Sequence, residues 1–208
     1  MKIPVKILAV KYLANANAGL CRALGAPEGK TALGLLTTDC DDATYIALDA
    51  ATKAAEVTVC YGRSFYAGAA NATTPNAGEV IGILAGQTPG AVRSGMEAAI
   101  GALQRVGFEE VNKVPFLAHT VSSTGSYLSR EAGISPGEPL AYLIAPPLEG
   151  MYAMDAALKA ADVRLCKLYR PPSETNFGGG LLTGTQSACE AACAAFAQAV
   201  AEVAHSPM

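Results

Sequence analysis

Two adjacent carboxylates, Asp41 and Asp42, stand in "TTDCDDATYIALDA", where a strand-like run gives way to a helical one. One carboxylate is enough to cap a helix start, so the plain reading is a cap and its solvated neighbour. The chemical reading is a rim of negative charge that holds an amine or a metal ion, the more so if Glu79 joins them. Glu79 heads the strand that follows a long loop. In the other half, "PPSETNFGGG" brings Glu174, Thr175 and Asn176 to a comparable loop, where an ordinary turn bounded by Pro and Gly explains them equally well. The residues alone leave both choices open.

Other chemistry is poorly supported. His119 lies mid-strand and His205 in the terminal tail, with no spacing that suits zinc and no nearby nucleophile motif. A structural, partly buried His119 is the simpler account. "GAPEGKT" (25–31) imitates a phosphate loop, but it has three residues between its glycines where that motif needs four, and it precedes a strand. The cysteines at 21, 40, 60, 166, 189 and 193 lack a C-x-x-C spacing and read as reduced core residues. No catalytic group, metal or cofactor is expected.

These side chains need elements to carry them. The 208 residues are 51% hydrophobic, only 16% charged and carry a net charge of −3, so extensive packing between domains or subunits is expected. There is no basic stripe for a nucleic acid, no polybasic membrane anchor, no signal-like start and no apolar run long enough to span a bilayer. A cytoplasmic protein follows as the expectation.

The chain also repeats itself. "ALDAATKAAEVTVC" (47–60) returns as "AMDAALKAADVRLC" (153–166) with nine of fourteen positions identical, at an offset of 106. Gly86 matches Gly184 at an offset of 98, so the connection between is eight residues longer in the first copy. That pattern is a duplication, with domains expected over 1–107 and 108–208. Each copy is read as α/β, an α+β sandwich of one small sheet with helices on it. Strands are expected at 31–39, about 56–62 and 79–86, and again at 114–122, 139–147, 162–169 and 180–184. Helices are expected at about 43–55 and 88–107, the latter opened by Thr88 as cap with Pro89 behind it, and at 149–161 and 186–204. Asp41 or Asp42 is the expected cap of the first. Shorter helices are expected at 15–24 and in "SYLSREAGI", and a loop at 63–78. Cys60 and Cys166 take equivalent places at strand ends, read as core.

"DAALKAADVRL" followed by "GLLTGTQSACEAACAAFAQA" resembles the bacterial microcompartment shell domain. "LGLLTTDCDDATYIALDAATKAAEV", "STGSYLSREAGI" and "PPSETNFGGGLLTGTQSAC" sharpen that to the tandem-domain shell proteins of ethanolamine-utilisation microcompartments, with similarity over roughly 31–195. The resemblance implies two circularly permuted shell domains per chain and a structural protein without chemistry of its own. It implies a homotrimer that forms a pseudohexameric plate and tiles with other shell proteins. By the same resemblance a central pore is gated by the 63–78 loop, with Phe65 and Tyr66 as plugs and Gly68 and Gly78 allowing movement. It further implies small acidic pores that bind ethanolamine through Asp41, Asp42 and Glu79, with Phe108, Thr175, Asn176 and Phe177 completing the contact. A shell tile of a choline or propanediol compartment, or a soluble effector-binding or enzymatic trimer on the same fold, remain the alternatives.

Overall fold

The computed structural model describes residues 1–65, 78–171, 173, 175 and 177–206. They divide into two compact units, one of Val5–Val106 with Gly125–Leu128, the other of Met1–Pro4, Gly107–Thr124 and Ser129–Met208.

The first unit holds a four-stranded antiparallel sheet. Its strands are β1 (Ile7–Leu13), β2 (Ala32–Thr38), β3 (Val57–Phe65) and β4 (Glu79–Gly86), in the order β1-β2-β4-β3. Helices α2 (Asp41–Ala54) and α3 (Pro89–Leu103) pair with each other on one face, and the short α1 (Ala18–Ala23) follows β1. The helices settle close to the sheet because the strands carry glycine where they meet. A β-carbon on Gly34 would come within 2.8 Å of Val92 Cγ1, and one on Gly82 within 2.6 Å of Leu48 Cδ1. Leu48, Leu84, Val92 and Met96 fill the resulting core. As expected, Thr88 caps α3: its hydroxyl accepts from Ala91 N at 3.1 Å, with Pro89 at the first helical position.

The second unit repeats this programme with β6 (Val114–Val121), β7 (Leu140–Ala145), β8 (Val163–Tyr169) and β9 (Gly178–Gly184), in the order β6-β7-β9-β8. Helices α5 (Pro147–Ala160) and α6 (Gln186–His205) lie against it, and the short α4 (Ser126–Ala132) follows β6 in the chain as α1 follows β1, its first residues, to Leu128, belonging to the first unit. Met154, Leu143, Leu182 and Phe196 are central to its core. The equivalence extends to irregularities. The β3–β4 register slips between Val59 and Tyr61, and the β8–β9 register slips between Leu165 and Lys167. Cys60 and Cys166 are the residues at the two slips. Both are only partly buried, unlike the core positions expected of them, because a residue bulged out of register leaves the alternation that would have sent it inward.

The second sheet gains an extra edge strand, β5 (Glu109–Val111), which sequence patterning misses. It has three residues, and its turn to β6 is Asn112-Lys113, with φ of 46° and 68°. Such tight turns ordinarily declare themselves through glycine, and here none is present. Met1 and Glu110 exchange backbone bonds, and Ile3 N donates to the Phe108 carbonyl at 2.7 Å, so the start of the chain lies along this edge. Among the described residues no helix is long and apolar enough to cross a membrane.

One side chain fixes α2 within the first unit. Asp49 is fully buried, and its carboxylate accepts from Gly125 N at 2.7 Å and Leu128 N at 2.8 Å. Thr52 Oγ1 accepts from Ser126 N at 3.1 Å, and Lys53 Nζ approaches Asp49 at 3.4 Å. Asp49→Ala strands two buried donors and is expected to cost about 3 kcal/mol of stability. Lys53→Ala removes only a partly exposed ion pair and should change stability by less than about 0.5 kcal/mol. Urea denaturation of the two variants, each followed by circular dichroism, measures the contrast.

Candidate functional site: a buried acidic pair at the start of α2

The corner from β2 to α2 is built by hydroxyls. Thr38 Oγ1 accepts from Cys40 N at 3.1 Å, Thr44 Oγ1 donates to the Cys40 carbonyl at 2.7 Å, and the two threonine oxygens lie 2.7 Å apart. This arrangement makes Cys40 the cap position of α2, with no side-chain cap bond. Neither aspartate is the cap expected from sequence. Asp41 and Asp42 are instead the first two helical residues, because the threonines already hold the preceding backbone. Both are buried, so the solvated neighbour of the plain reading is also replaced.

Asp41 Oδ1 accepts from Asp42 N at 2.8 Å, and Ser64 on β3 hydrogen-bonds the Asp41 side chain. Burial pushes the Asp41 carboxyl well above the ordinary carboxylate range, and the neighbouring charge of Asp42 pushes it further; the hydrogen bonds from Asp42 N and Ser64 work the other way. The Cys40 thiol is raised too, first by burial and then by the Asp41 and Asp42 charges. A thiol so placed stays protonated and is a poor nucleophile.

Register brings the third carboxylate to the same end of the sheet. Thr38 pairs with Val80, and Ser64 also pairs with Val80 on the other side. Glu79, partly buried, therefore opens β4 level with the exit of β2 that leads to Asp41. Phe65 pairs with Glu79 and is partly exposed, and Gly78 is buried. Tyr66 and Gly68, from the expected gate, lie outside the described residues. Ser64 was not foreseen. Its only sequence signal is its place near the end of a strand, and only pairing across β4 sets it level with the Asp41 corner.

The second unit places Phe108 and Phe177 together, both buried, with ring centroids 5.9 Å apart and planes at 50°. Thr175 is buried as well, its N–H donating to Ser173 Oγ at 3.2 Å. Asn176 and Glu174 lie outside the described residues. His119 is partly buried, in keeping with a structural role. Among the described residues no cluster of three His, Cys, Asp or Glu side chains is arranged to hold a metal ion. What the described residues of the first unit offer is negative charge in a place where charge is costly.

The duplicated unit is a bacterial microcompartment (BMC) domain, whose family model matches residues 32–118. That match starts at β2 and runs through α3 into β6, which belongs to the second sheet, while β1 from the front of the chain fills the edge beside β2. The strand that follows α3 in the family's order has thus been supplied from the front, which is the permutation. The chain is 57% identical to the bacterial microcompartment shell protein EutL of Clostridium perfringens, with 97% of this chain and 95% of that protein covered. It is 51% identical to the EutL of Escherichia coli strain K12, with 97% and 94% covered. The crystal structure of ethanolamine utilization protein EutL from Leptotrichia buccalis superposes with a TM-score of 0.94 at 56% identity, covering 100% of this chain and 98% of that one. The chain belongs to the EutL family of bacterial microcompartment shell proteins. It is a structural protein of the shell and not an enzyme.

The acidic pair has a consequence for stability. The folded chain holds the Asp41 proton more tightly than the unfolded chain does, so the pair is best tolerated in acid, and stability falls as pH rises through the raised value. Asp41→Asn cannot ionise but keeps an acceptor oxygen. It is expected to stabilise the protein more at about pH 7.5 than at about pH 4, where the wild-type carboxyl nears protonation in both states. Denaturant titrations at the two pH values check the sign.

Proposed function

We propose that this shell protein is a tile of an ethanolamine-utilisation microcompartment, in which three chains close into a pseudohexameric ring and the acidic pair of each chain binds ethanolamine. The observation that carries the reading is the burial of Asp41 and Asp42 on consecutive positions of one helical turn. Two such charges repel each other in a medium that screens them poorly, and a small cation relieves that repulsion as a proton does. The ammonium end of ethanolamine fits this need, and its hydroxyl needs only a neutral hydrogen-bonding partner. Glu79 adds charge at the same sheet end. Phe108, Thr175, Asn176 and Phe177 are assigned to the ligand by family resemblance. The relative in Leptotrichia buccalis that carries ethanolamine utilization in its name, at 56% identity, supports the choice of ligand.

Gating of a central pore is assigned to the stretch that leaves β3 at Phe65 and returns at Gly78, with Tyr66 and Gly68 inside it. Its support is the divergence of the copies: between equivalent positions this connection is eight residues longer in the first copy than in the second. A connection lengthened in one copy only is placed around the ring in alternate domains, where it can cover an axis without crowding it.

Titration calorimetry tests the ligand reading. Ethanolamine should bind the wild type, and Asp42→Asn or Glu79→Gln should weaken it about tenfold or more, the loss of one charge-assisted contact. Ethylene glycol, the same size without the ammonium, should not bind. Unchanged ethanolamine affinity in both variants would remove the acidic site from the account. Electron microscopy of concentrated protein tests the tile, which should grow into sheets or tubes.

A further inference from the structure

The duplication lets the chain serve as its own control, and the place to compare is the turn that follows each short helix. Helix α1 matches α4 at an offset of 108: Leu20 with Leu128, Arg22 with Arg130, Gly25 with Gly133. Both helices close through left-handed glycines, Gly25 at φ +73° and Gly133 at φ +66°, and a second one follows in each turn, Gly29 at +80° and Gly137 at +95°. The backbone bonds repeat as well. Ala26 N donates to Cys21 O as Ile134 N donates to Ser129 O, and Lys30 N donates to Pro27 O as Glu138 N donates to Ser135 O.

The side chains do not repeat. In the second copy the turn closes on itself: the Glu138 carboxylate accepts from Ser135 N at 3.0 Å, and Gly137 N donates to the Thr124 carbonyl at 2.8 Å. In the first copy Pro27 replaces Ser135 and has no N–H to give, and Lys30 replaces Glu138, so an ammonium stands where the carboxylate was. Ala23 replaces Glu131, which in the second copy pairs with Lys167 at 2.8 Å. Among the described residues no hydrogen bond or ion pair reaches Gly29 N or the Arg22 guanidinium. The first copy has kept the backbone of the turn and lost both glutamates around it.

It has a cavity there. Helix α1 buries Cys21 against Leu33, Ile83 and Ala85, strand positions that alternate with Gly34 and Gly82, which meet α3 and α2. It therefore lies on the opposite face of the sheet. Between α1 and the 26–31 turn is a space of about 310 Å³ lined by Arg22 and Lys30, with Glu28 its one acidic side chain. Lys30 Nζ donates to Thr58 Oγ1 at 2.7 Å, which fixes the ammonium and leaves it protons to give. Ala18, Cys21 and Pro27 supply an apolar wall.

We propose that this cavity binds the phosphate group of a small phosphate monoester. Arg22 offers its planar fork to two phosphate oxygens, and Lys30 adds a second cation, an answer to a double charge rather than to the single charge of a carboxylate. The ligand brings to the turn the negative charge that the second copy builds in with Glu138. Room remains for a small organic body against the apolar wall. "GAPEGKT" does this without being a phosphate loop, since a strand follows it and the charge comes from side chains rather than from a helix start. The site lies before β2 and the acidic pair after it, so neither depends on the other.

Calorimetry on the full chain at constant ionic strength tests this, with inorganic phosphate, methyl phosphate and acetate as probes. Both phosphates should bind saturably, and acetate about tenfold more weakly or worse. Arg22→Gln and Lys30→Gln should each weaken phosphate binding about tenfold or more, the loss of one charge-assisted contact. Pro27→Ser combined with Lys30→Glu rebuilds the turn of the second copy; it should fold normally and bind neither phosphate. Hydrogen exchange gives a second readout, in which methyl phosphate protects 26–31 in the wild type and not in the double variant. A wild type that shows neither saturable heat nor protection overturns the site, as does phosphate binding that survives unchanged in Arg22→Gln and in the double variant. Acetate bound as tightly as phosphate overturns the choice of ligand.

Discussion

A single carboxylate holds α2 in place. Asp49 has no water to satisfy it, so it must find donors in the protein, and it finds two backbone N–H groups at the start of α4. The fit is close enough that a β-carbon on Gly125 would collide with Thr52 Oγ1 and come within 2.7 Å of the Asp49 carbonyl. Glycine at 125 and aspartate at 49 therefore require each other. Two turns earlier the same helix carries Asp41 and Asp42. The anchor thus fixes the axis along which the acidic pair is delivered to the end of the sheet.

The acidic pair works against stability, and its surroundings explain why it is tolerated. Ser64 and the Asp42 N–H supply neutral hydrogen bonds to Asp41, and the helix start supplies the positive end of a dipole. These lower the Asp41 pKa, but burial first and the Asp42 charge second still hold it well above the ordinary carboxylate range. A shell protein needs no reactive group, and the thiol beside the pair is a poor one: Cys40 is held protonated by its burial first and then by the same charges that would favour a cation. The electrostatics suit selection of a small cation and would serve a covalent mechanism badly.

Duplication gives two domains of one architecture, and divergence gives their helices different faces. The bulges at Cys60 and Cys166 and the matching helix ends of α1 and α4 show how faithfully the scaffold was copied. The helix faces were not copied. Where α2 has the acidic pair, α5 begins with Pro147 and Leu148. A single-domain ring must place identical chemistry at every position, whereas a tandem chain can put charge in one domain and apolar surface in the other.

The repeat and most element bounds were legible in the sequence, because they rest on local patterns: the alternation of strands, the apolar faces of helices, a Thr-Pro start, and an offset that can be counted; the order of the strands within each sheet was not. The strand β5 was not legible, since three residues and a turn without glycine carry no local signal. The acidic residues were visible as a pair, but their burial, their true place inside the helix and the Ser64 bond needed the β3–β4 register to bring distant residues level. Asp49 and Asp155 show the limit most plainly. They are the same letter at the same place in the same repeated phrase, yet one is a buried anchor and the other an exposed partner of Lys159. Sequence by itself determined that there are two copies and which residues are polar. Only the tertiary structure decided which of those polar groups lose their water, because burial is set by what packs against a residue and not by its neighbours in the chain.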